Sequence, residues 1–425
     1  MCRLSRVFVA ARPARSNGEG IMKLIRLMTL VLALVCCAAT SGVAPAAQKN
    51  PEPLVIPFEL VTRHILIRVK INNSDPLWFI FDTGDKVAIV DLGRAKSLGL
   101  TLQGEVNVGG AGAGTLKGST VRDASLNVIG VEGNPQPVML AIPLDGLEPR
   151  FGHDIDGIIG ADFIKQFVVE IDYSARVLRL HEKNTFAYSG SGEILPLTFI
   201  HGGYPVIDAG VVIPGREKVA GRFILDFGSG ASLALHTPFI REQNLLSPSQ
   251  KTIRAMGAGG AGGKINGRSG RVAELRIGKF QIDSPLTLFS EDTSGAFATS
   301  EIQGNIGAMI LAKFRAFLDY GRNRIILEPN ATLKDPIAPV SSGLKLVAYG
   351  SDYKTFRVDE LLEDSPAVEA GLQKDDVVVA IDGRPSTELT LSSLQEALEK
   401  PTPHKLSIRR GGSTLQITLT PRKLV

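Results

Sequence analysis

The sequence predicts a mainly β protein made of two lobes that repeat one another, followed by a small α+β domain. Three observations support this. Short β-branched runs separated by turn residues extend from Pro53 to Pro329, a spacing typical of strands. An apolar motif around Asp82 recurs around Asp226. Beyond position 343 the pattern changes to a strand, a short capped helix, another strand and a longer helix.

Composition limits the possible functions. With 425 residues, of which 44% are hydrophobic, the chain can fill two or three cores. Its formal net charge of +4 comes from the first 46 positions, which are rich in Arg and Lys. The remainder is close to neutral and has no basic tract, so nucleic acid is not an expected partner.

The N-terminal segment, residues 1–47, is expected to be an export leader, with Met22 as an alternative start. Lys23 and Arg26 precede an apolar run, and Ala44-Pro45-Ala46 provides small residues for cleavage. The alternative is a leader that is retained as a membrane anchor. We therefore expect a protein that is exported to a bacterial periplasm or secreted, or is membrane-anchored if the leader stays.

All three cysteines, Cys2, Cys36 and Cys37, lie in this leader. Lipid attachment at Cys36 or Cys37 remains open, although Val35 is a poor residue before the first of them. The rest of the chain has no thiol, which excludes a disulfide, a cysteine nucleophile and a thiolate metal site there. Membrane contact is expected only through an uncleaved leader or a lipid anchor.

The remaining chain divides into three domains and a linker. The predicted limits are 48–192 for lobe 1, 193–334 for lobe 2 and 344–425 for the C-terminal domain. Residues 335–343, rich in Pro and Ser, are expected to be a linker that tethers an independently folding unit.

The repeated motif points to a pair of acids. Phe79-Ile80-Phe81-Asp82-Thr83-Gly84 matches Phe223-Ile224-Leu225-Asp226-Phe227-Gly228. A second block follows each copy, Gly157–Gly160 in the first and Gly304–Gly307 in the second. Such a duplication can bring two carboxylates together across an internal two-fold axis. Two carboxylates at hydrogen-bond distance share one proton, so one can accept a proton from water while the other donates to a carbonyl oxygen.

Residues 53–330 resemble the bacterial retropepsin-like aspartyl proteases that carry both lobes in one chain, related in pattern to pepsin and retroviral proteases. The resemblance implies a two-lobed acid-protease β-barrel fold and an endopeptidase that acts on polypeptides without cofactor or metal. It assigns catalysis to Asp82 and Asp226, and support of their loops to Thr83, Gly84 and Gly228. Because both lobes are present, a monomer is expected.

Two positions depart from the family pattern. Phe227 stands where Thr or Ser is usual, which removes one of the two hydroxyls that join the loops. Asp85 stands where a small Ser or Ala is usual, which adds a carboxylate near the pair. These departures leave open an alternative, a catalytically weak or inactive scaffold that binds peptides.

Each lobe also has a glycine cluster. In lobe 1, Gly109, Gly110, Gly112 and Gly114 are predicted to form a mobile hairpin flap over the substrate. For the lobe 2 cluster, 257–263, a flap and an ordinary exposed loop both remain open. That cluster also fits a G-x-G-x-x-G string, but no helix-forming segment follows, so a dinucleotide site is not expected.

The C-terminal domain resembles a bacterial-type PDZ domain. Its features are a strand from Phe356, a helix capped by Ser365, a strand from Val377 and a helix over Leu391–Leu398. The resemblance implies binding of C-terminal peptides by strand addition. The candidate peptide-binding residues are Thr355, Phe356, Arg357 and Val358.

Other chemistries find little support. The six histidines are scattered without metal-ligand spacing, and no Gly-x-Ser-x-Gly motif is present. Asp154, Asp156 and Asp162 are interpreted as structural rather than as a metal cluster. Asp172-Tyr173 and Asp319-Tyr320 are interpreted as hairpin-turn residues.

Overall fold

Strands dominate the computed structural model, as the sequence predicts. It describes residues 51–112, 114–128, 131–136, 138–257, 259–260 and 262–425, and the part from Pro51 to Val425 is one compact unit. The predicted leader and its cysteines lie outside the described residues. Within them, no helix is both long and apolar enough to cross a membrane.

Lobe 1 is a set of short strands connected by turns and three short helices, within the described residues. Its strands are β1 (Leu54–Pro57), β2 (Glu59–Val61), β3 (His64–Ile71), β4 (Leu77–Phe81), β5 (Ile89–Asp91), β6 (Leu102–Gly109), β7 (Thr115–Val121), β8 (Ala124–Val128), β9 (Val131–Gln136), β10 (Met139–Ile142), β11 (Gly157–Ile159), β12 (Phe167–Asp172) and β13 (Val177–Glu182). Its helices are α1 (Leu92–Ser97), α2 (Glu148–Phe151) and α3 (Ala161–Ile164).

Lobe 2 follows the same plan. Its strands are β14 (Glu193–Pro196), β15 (Thr198–Ile200), β16 (Tyr204–Val212), β17 (Lys218–Asp226), β18 (Leu233–Leu235), β19 (Ile253–Arg254), β20 (Gly259–Gly260), β21 (Gly263–Lys264), β22 (Gly267–Arg271), β23 (Glu274–Ile277), β24 (Phe280–Asp283), β25 (Leu286–Ser290), β26 (Gly304–Gly307), β27 (Phe314–Asp319) and β28 (Arg324–Pro329). Its helices are α4 (Thr237–Glu242) and α5 (Ala308–Leu311), with 3₁₀ turns at Ala296–Ala298 and Tyr320–Arg322.

The two lobes share one topology. The main sheet of lobe 1 runs β6-β7-β10-β5-β11-β4-β3-β8-β9, and that of lobe 2 runs β19-β22-β25-β18-β26-β17-β16-β23-β24. Each strand has its counterpart at the same place in the order. The sequence repeat is therefore a repeat of structure.

A six-stranded sheet joins the lobes in the order β1-β13-β12-β27-β28-β14. Its centre is the antiparallel pair β12 and β27, where Glu170 faces Phe317. Three strands come from each lobe, and equivalent strands lie at equal distances from the centre. This arrangement gives the sheet the pseudo-two-fold symmetry that the sequence repeat predicts.

The turn residues noted in the sequence lie at the ends of the two central strands. Asp319 ends β27 and is fully buried, paired with Arg324 (2.8 Å) and Arg322 (3.1 Å). Asp172 ends β12, where one carboxylate oxygen accepts from the Ala175 N–H at 3.0 Å. The turn interpretation fits the structure, and Asp319 also forms a buried ion-pair cluster.

The C-terminal domain has one sheet and two helices in the described residues. Its strands are β29 (Leu344–Tyr349), β30 (Thr355–Leu361), β31 (Val377–Ile381), β32 (Arg384–Pro385), β33 (His404–Arg410) and β34 (Ser413–Leu419); its helices are α6 (Pro366–Glu369) and α7 (Leu391–Glu399). As predicted, the Ser365 side chain caps α6. The Thr390 hydroxyl caps α7. The domain has its own hydrophobic core.

The predicted peptide-binding residues need correction. Thr355, Phe356, Arg357 and Val358 lie on β30, which pairs with β29 on one side and with β31 on the other. An inner strand has no free edge for an added peptide, and the Phe356 and Val358 side chains are fully buried. Of the two strands that end the sheet, β29 and β34, β29 is the one that lies beside α7.

The linker is packed and does not act as a free tether. Ile337 belongs to the hydrophobic core that the two lobes share. The Arg271 guanidinium donates to the carbonyls of Ile337 (3.1 Å) and Ala338 (3.2 Å). The Leu424 N–H donates to the carbonyl of Val340 at 2.9 Å. These contacts hold the linker to lobe 2 and to the end of the C-terminal domain.

Lobe 1 also contacts the C-terminal domain directly. Helix α2 packs on β29, and Gly152 follows it in the left-handed conformation (φ 62°). A methyl group at Gly152 would lie 2.9 Å from Leu391 Cβ and 3.2 Å from Ala348 Cβ. Gly152 therefore sits between the edge strand β29 and the start of α7. The Thr62 N–H adds a hydrogen bond to Ser392 Oγ at 3.0 Å.

Candidate active site

Asp82 and Asp226 lie at matching positions, at the ends of β4 and β17. Each strand is held by the second block of its own repeat, because β4 pairs with β11 and β17 pairs with β26, both in parallel. A side chain at Gly157 would collide with the Phe79 ring, so glycine is needed for this pairing. The apolar residues before each aspartate are buried except Ile224, which is partly buried, and the carboxylates emerge where the strands end.

The two aspartates meet across the interface of the lobes. A methyl group at Gly84 would lie 2.9 Å from Asp82 Oδ1 and 3.2 Å from Asp226 Oδ1. A methyl group at Gly228 would overlap the Asp82 carboxylate. Both glycines of the repeated motif are therefore required, since each lies against an aspartate of the opposite lobe.

Thr83 joins the two loops. Its fully buried hydroxyl donates to the carbonyl of Leu225 at 2.6 Å and accepts from the N–H of Phe227 at 3.0 Å. Phe227 has no hydroxyl to return this interaction, and its fully buried ring belongs to the hydrophobic core that the two lobes share. The Ser229 hydroxyl accepts from the Ala231 N–H at 3.3 Å, within its own loop. The side-chain hydrogen bonds between the two loops therefore come from Thr83, with no matching bonds from Phe227.

The electrostatics favour a shared proton. Burial, then the neighbouring charges of Asp226 and Asp85, raises the pKa of Asp82 well above its usual value. Burial also raises the pKa of Asp226, opposed by hydrogen bonds from Asn305 and from the backbone of Gly228. The pair cannot hold two charges comfortably, which is the condition for one acid and one base in the same site.

Asp85 adds a third carboxylate. It lines the same cavity, and burial, followed by the charges of Asp226 and Asp162, raises its pKa to about 7. Asp162 itself accepts hydrogen bonds from Ala88 N and Phe163 N. The cavity thus contains a third carboxyl group beside the pair.

Both glycine clusters line one cavity with the aspartates. The cavity has a volume of about 1030 Å³ and includes Gly109, Gly110, Gly112 and Gly114. Strands β20 and β21 form a small hairpin in the lobe 2 cluster. The Gly114 N–H donates to the carbonyl of Gly262 at 2.9 Å. The tips of the two hairpins therefore meet beside the cavity that contains the aspartates.

Three site residues were missed by the sequence reasoning. Asn305 Nδ2 donates to Asp226 Oδ2 at 3.3 Å, and His236 Nε2 lies 3.0 Å from Asn305 Oδ1. His64 Nε2 accepts from the Gly230 N–H at 3.1 Å. One signal was available, since Asn305 is polar where the first copy of the repeat has apolar Ile158.

The acidic residues near the Gly157 block have structural partners. Asp156 accepts from Trp78 N at 2.8 Å and from Arg94 Nε at 2.6 Å. Asp154 accepts from the Tyr353 hydroxyl at 3.0 Å. Among the described residues, no group of three or more His, Cys, Asp or Glu side chains is placed to hold a metal ion.

Two family models match the chain. The model described as an aspartyl protease matches residues 67–163, and the model described as a PDZ domain matches residues 357–410. The predicted resemblance is confirmed at both places. The chain therefore contains an aspartyl-protease-type domain followed by a PDZ domain.

Two similar proteins each align with a small part of the chain, and the chain spans only a small part of the curated relative. Serine protease HTRA1 from Xenopus laevis is 37% identical over 65 residues, 15% of this chain and 14% of that protein's length. A crystal structure of the HtrA3 PDZ domain bound to a phage-derived ligand (FGRWV) is 27% identical. That match covers 19% of this chain and 83% of the other, with a TM-score of 0.18.

Proposed function

We propose that this protein is an aspartic endopeptidase that hydrolyses peptide bonds with a water activated by Asp82 and Asp226. The observation that carries the proposal is the meeting of the two aspartates, packed so closely that neither Gly84 nor Gly228 can bear a side chain. The matched aspartyl protease model, which includes Asp82, supports the same reaction class.

The chemistry needs one proton on the pair. The ionised carboxylate takes a proton from a water held between the two, and the oxygen of that water attacks the scissile carbonyl carbon. The protonated carboxylate donates to the carbonyl oxygen, which yields a neutral gem-diol. Proton transfer to the amide nitrogen then allows the C–N bond to break, and the pair returns to its starting state.

The flap hairpins would bind the substrate backbone. They line the cavity above the pair and contain few side chains, so an extended peptide can approach their backbone closely. Closure of the hairpins would exclude water and position the scissile bond. The cavity has room for several substrate residues.

We further propose that the PDZ domain binds polypeptide substrates or the C-terminal peptides of partners along β29 and α7. Lys345, Leu346 and Gln395 of this domain line the same cavity as the two aspartates. A bound segment would therefore be held close to the cleavage site. Because α2 now lies on β29, a peptide on that edge requires this contact to open.

Export to the bacterial periplasm or beyond, and a monomeric state, complete the proposal. The leader pattern around Lys23 and Arg26 supports export, and the presence of both lobes in one chain supports a monomer. Cell fractionation with and without globomycin would distinguish lipid anchoring from plain cleavage. Sedimentation would give the oligomeric state.

The test of the activity is cleavage by the full-length chain across pH, with and without pepstatin, on short fluorogenic peptides and an unfolded protein. Asp82→Asn and Asp226→Asn should each abolish cleavage and leave the circular dichroism unchanged. The matched control is Asp154→Asn, which removes a carboxylate that bonds to Tyr353 away from the pair. Cleavage that survives either dyad substitution would refute the proposal.

A second candidate is a peptide-binding scaffold with little or no catalysis. Phe227 supports it, because the loop that carries Asp226 lacks the hydroxyl that Thr83 provides on the other side. A folded protein that binds unfolded polypeptide but shows no cleavage at any pH would favour this function.

A further inference from the structure

Asp226 is bonded to a pair of side chains that lobe 1 does not repeat. Asn305 Nδ2 donates to Asp226 Oδ2 at 3.3 Å. His236 Nε2 lies 3.0 Å from Asn305 Oδ1, and residue His236 is 2% exposed. The three side chains form one line from the α4 N-terminus to the carboxylate.

Strand register identifies the matching positions in lobe 1. Ile158 faces Ile80 there, as Asn305 faces Ile224 in lobe 2. An isoleucine cannot donate a hydrogen bond, so Asp82 receives no side-chain bond from this position.

The position that matches His236 is also used differently. Gly304 faces Leu235, the residue before His236, and Gly157 faces Val90, the residue before Asp91. The Asp91 carboxylate accepts from the Arg94 N–H (2.8 Å) and the Leu144 N–H (2.9 Å). It is therefore engaged with backbone groups, whereas His236 is directed at Asn305.

The direction of the proton donors follows from chemistry. The amide nitrogen of Asn305 faces Asp226 Oδ2, and an amide nitrogen can only donate. The amide oxygen then faces His236, whose Nε2 must carry a hydrogen. Burial lowers the pKa of His236, which favours the neutral ring with its hydrogen on Nε2, and donation from Nε2 polarises the amide toward Asp226.

We propose that His236 and Asn305 are positioning residues that hold Asp226 in its ionised form. Asp226 is then the base that takes the proton from water, and Asp82 is the acid that donates to the substrate carbonyl oxygen. This inference rests on the proposed function. It adds which aspartate is the base and which is the acid, a distinction that the symmetry of the fold alone does not provide.

The surroundings of Asp226 agree with this division. The other ionisable groups that face it are the carboxylates of Asp82 and Asp85 and the phenol of Tyr204. None of them is a cation, so stabilisation of a negative charge on Asp226 must come from hydrogen bonds. Burial raises the pKa of Asp226, and the bond from Asn305 is the largest influence that lowers it.

The surroundings of His236 keep its ring neutral. Burial is the largest influence and lowers the pKa of His236, while the bond to Asn305 and the carbonyls of Thr299 and Ile302 oppose it. Nδ1 makes no hydrogen bond of ordinary geometry, and the Phe297 ring lies 4.9 Å from the imidazole centre. Because the nearby carbonyls make no such bond with Nδ1, the hydrogen bond to Asn305 is made by Nε2.

The first arm of the test replaces Asn305 with the lobe 1 residue, Asn305→Ile. Loss of a hydrogen bond to a charged acceptor should move the acid limb of the kcat/KM profile upward by about half to one pH unit. The value of kcat should fall about threefold to tenfold with KM nearly unchanged, because the bond matters to the proton transfer and not to substrate binding.

The second arm separates a proton role from a packing role at His236. His236→Gln keeps a donor and should retain most of the wild-type profile, whereas His236→Phe should shift it as Asn305→Ile does. The control is His404→Gln, a buried histidine that bonds to Asp382 in the PDZ domain (2.7 Å) and should leave the acid limb in place. An unshifted limb in both His236→Phe and Asn305→Ile would overturn the inference.

The third arm does not depend on activity. Nitrogen-15 NMR of histidine-labelled protein near pH 7 should show the neutral Nε2–H tautomer for His236, identified by loss of its signals in His236→Gln. An Nδ1–H tautomer or a charged ring would overturn the inference even if cleavage is normal. Absence of pepstatin-sensitive cleavage by the wild type, with the expected tautomer present, would instead refute the proposed function.

Discussion

Replacement of Phe227 by the family residue, Phe227→Thr, tests whether packing or hydrogen bonding dominates beneath the pair. The ring is fully buried in the core that both lobes share. Removal of a buried Phe to Ala costs about 3–5 kcal/mol. Thr returns part of the volume and can regain about 1 kcal/mol if its hydroxyl finds a partner. We therefore expect a net loss of about 2–4 kcal/mol in the free energy of unfolding.

The assay is urea unfolding followed by the fluorescence of Trp78, the single tryptophan, which lies on β4 close to Asp82. Phe227→Leu is the matched control, because it keeps most of the apolar volume without a hydroxyl and should cost less than about 1.5 kcal/mol. If Phe227→Thr unfolded within about 0.5 kcal/mol of wild type and cleaved faster, the missing hydroxyl would outweigh the ring and the packing argument would fail.

Three further results are expected. Thr83→Val should destabilise the protein by about 2–3 kcal/mol in the same unfolding assay, since it leaves the buried N–H of Phe227 and a carbonyl without their partner. Burial lowers the pKa of His64 to about 4, so the unfolded state binds more protons between pH 6.5 and 4. As the pH is lowered from 6.5 to 4, the free energy of unfolding should therefore fall by about 2 kcal/mol, allowing for partial exposure of the ring. Unfolding measured at each pH tests this. Gly112→Ala should raise KM severalfold with a smaller change in kcat, because a methyl group there would press on the Gly262 backbone and hold the flap tips apart.

Each of these has a control. Thr83→Ser keeps the hydroxyl, so its free energy of unfolding should stay within about 1 kcal/mol of wild type. An equal loss in both variants would show that the hydroxyl does not stabilise the loops. His64→Gln should flatten the pH dependence between 6.5 and 4, and an unchanged slope would assign it to other groups. Gly146→Ala, where a methyl group would meet nothing within 4 Å, is the comparison for the flap variant. A KM for Gly112→Ala equal to that of Gly146→Ala would argue against contact between the tips in solution.

The sequence predicted the two-lobed β fold and the placement of Asp82 and Asp226, because each copy of the repeat contains the same strand pattern and the same aspartate motif. Apolar residues before each aspartate and glycine after it are local requirements, visible without knowledge of the pairing. The bonds from His64 and His236 were not predictable in this way. Each joins residues that are distant in the chain, and a single histidine carries no periodic signal.

The errors have the same origin. Strand β30 has an apolar alternation that reads alike in a central strand and at an edge, so its place in the sheet order could not be seen. The Pro- and Ser-rich linker was expected to tether an independently folding domain, and its packing could not be seen in its composition. Composition does not exclude packing, however, and Ile337 buries its side chain while Arg271 binds the carbonyls.

The shared six-stranded sheet has a consequence for the order of folding. Its central pair joins Ile171 to Ala316, so the chain must close a loop of well over a hundred residues before the strands can meet. Contacts between such distant segments form slowly, and each lobe can pack its own main sheet first. The two aspartates belong to different halves and face each other only after this last step. A partly folded chain would thus hold two separate, ordinary carboxylates, and the candidate site would form only when both lobes have joined.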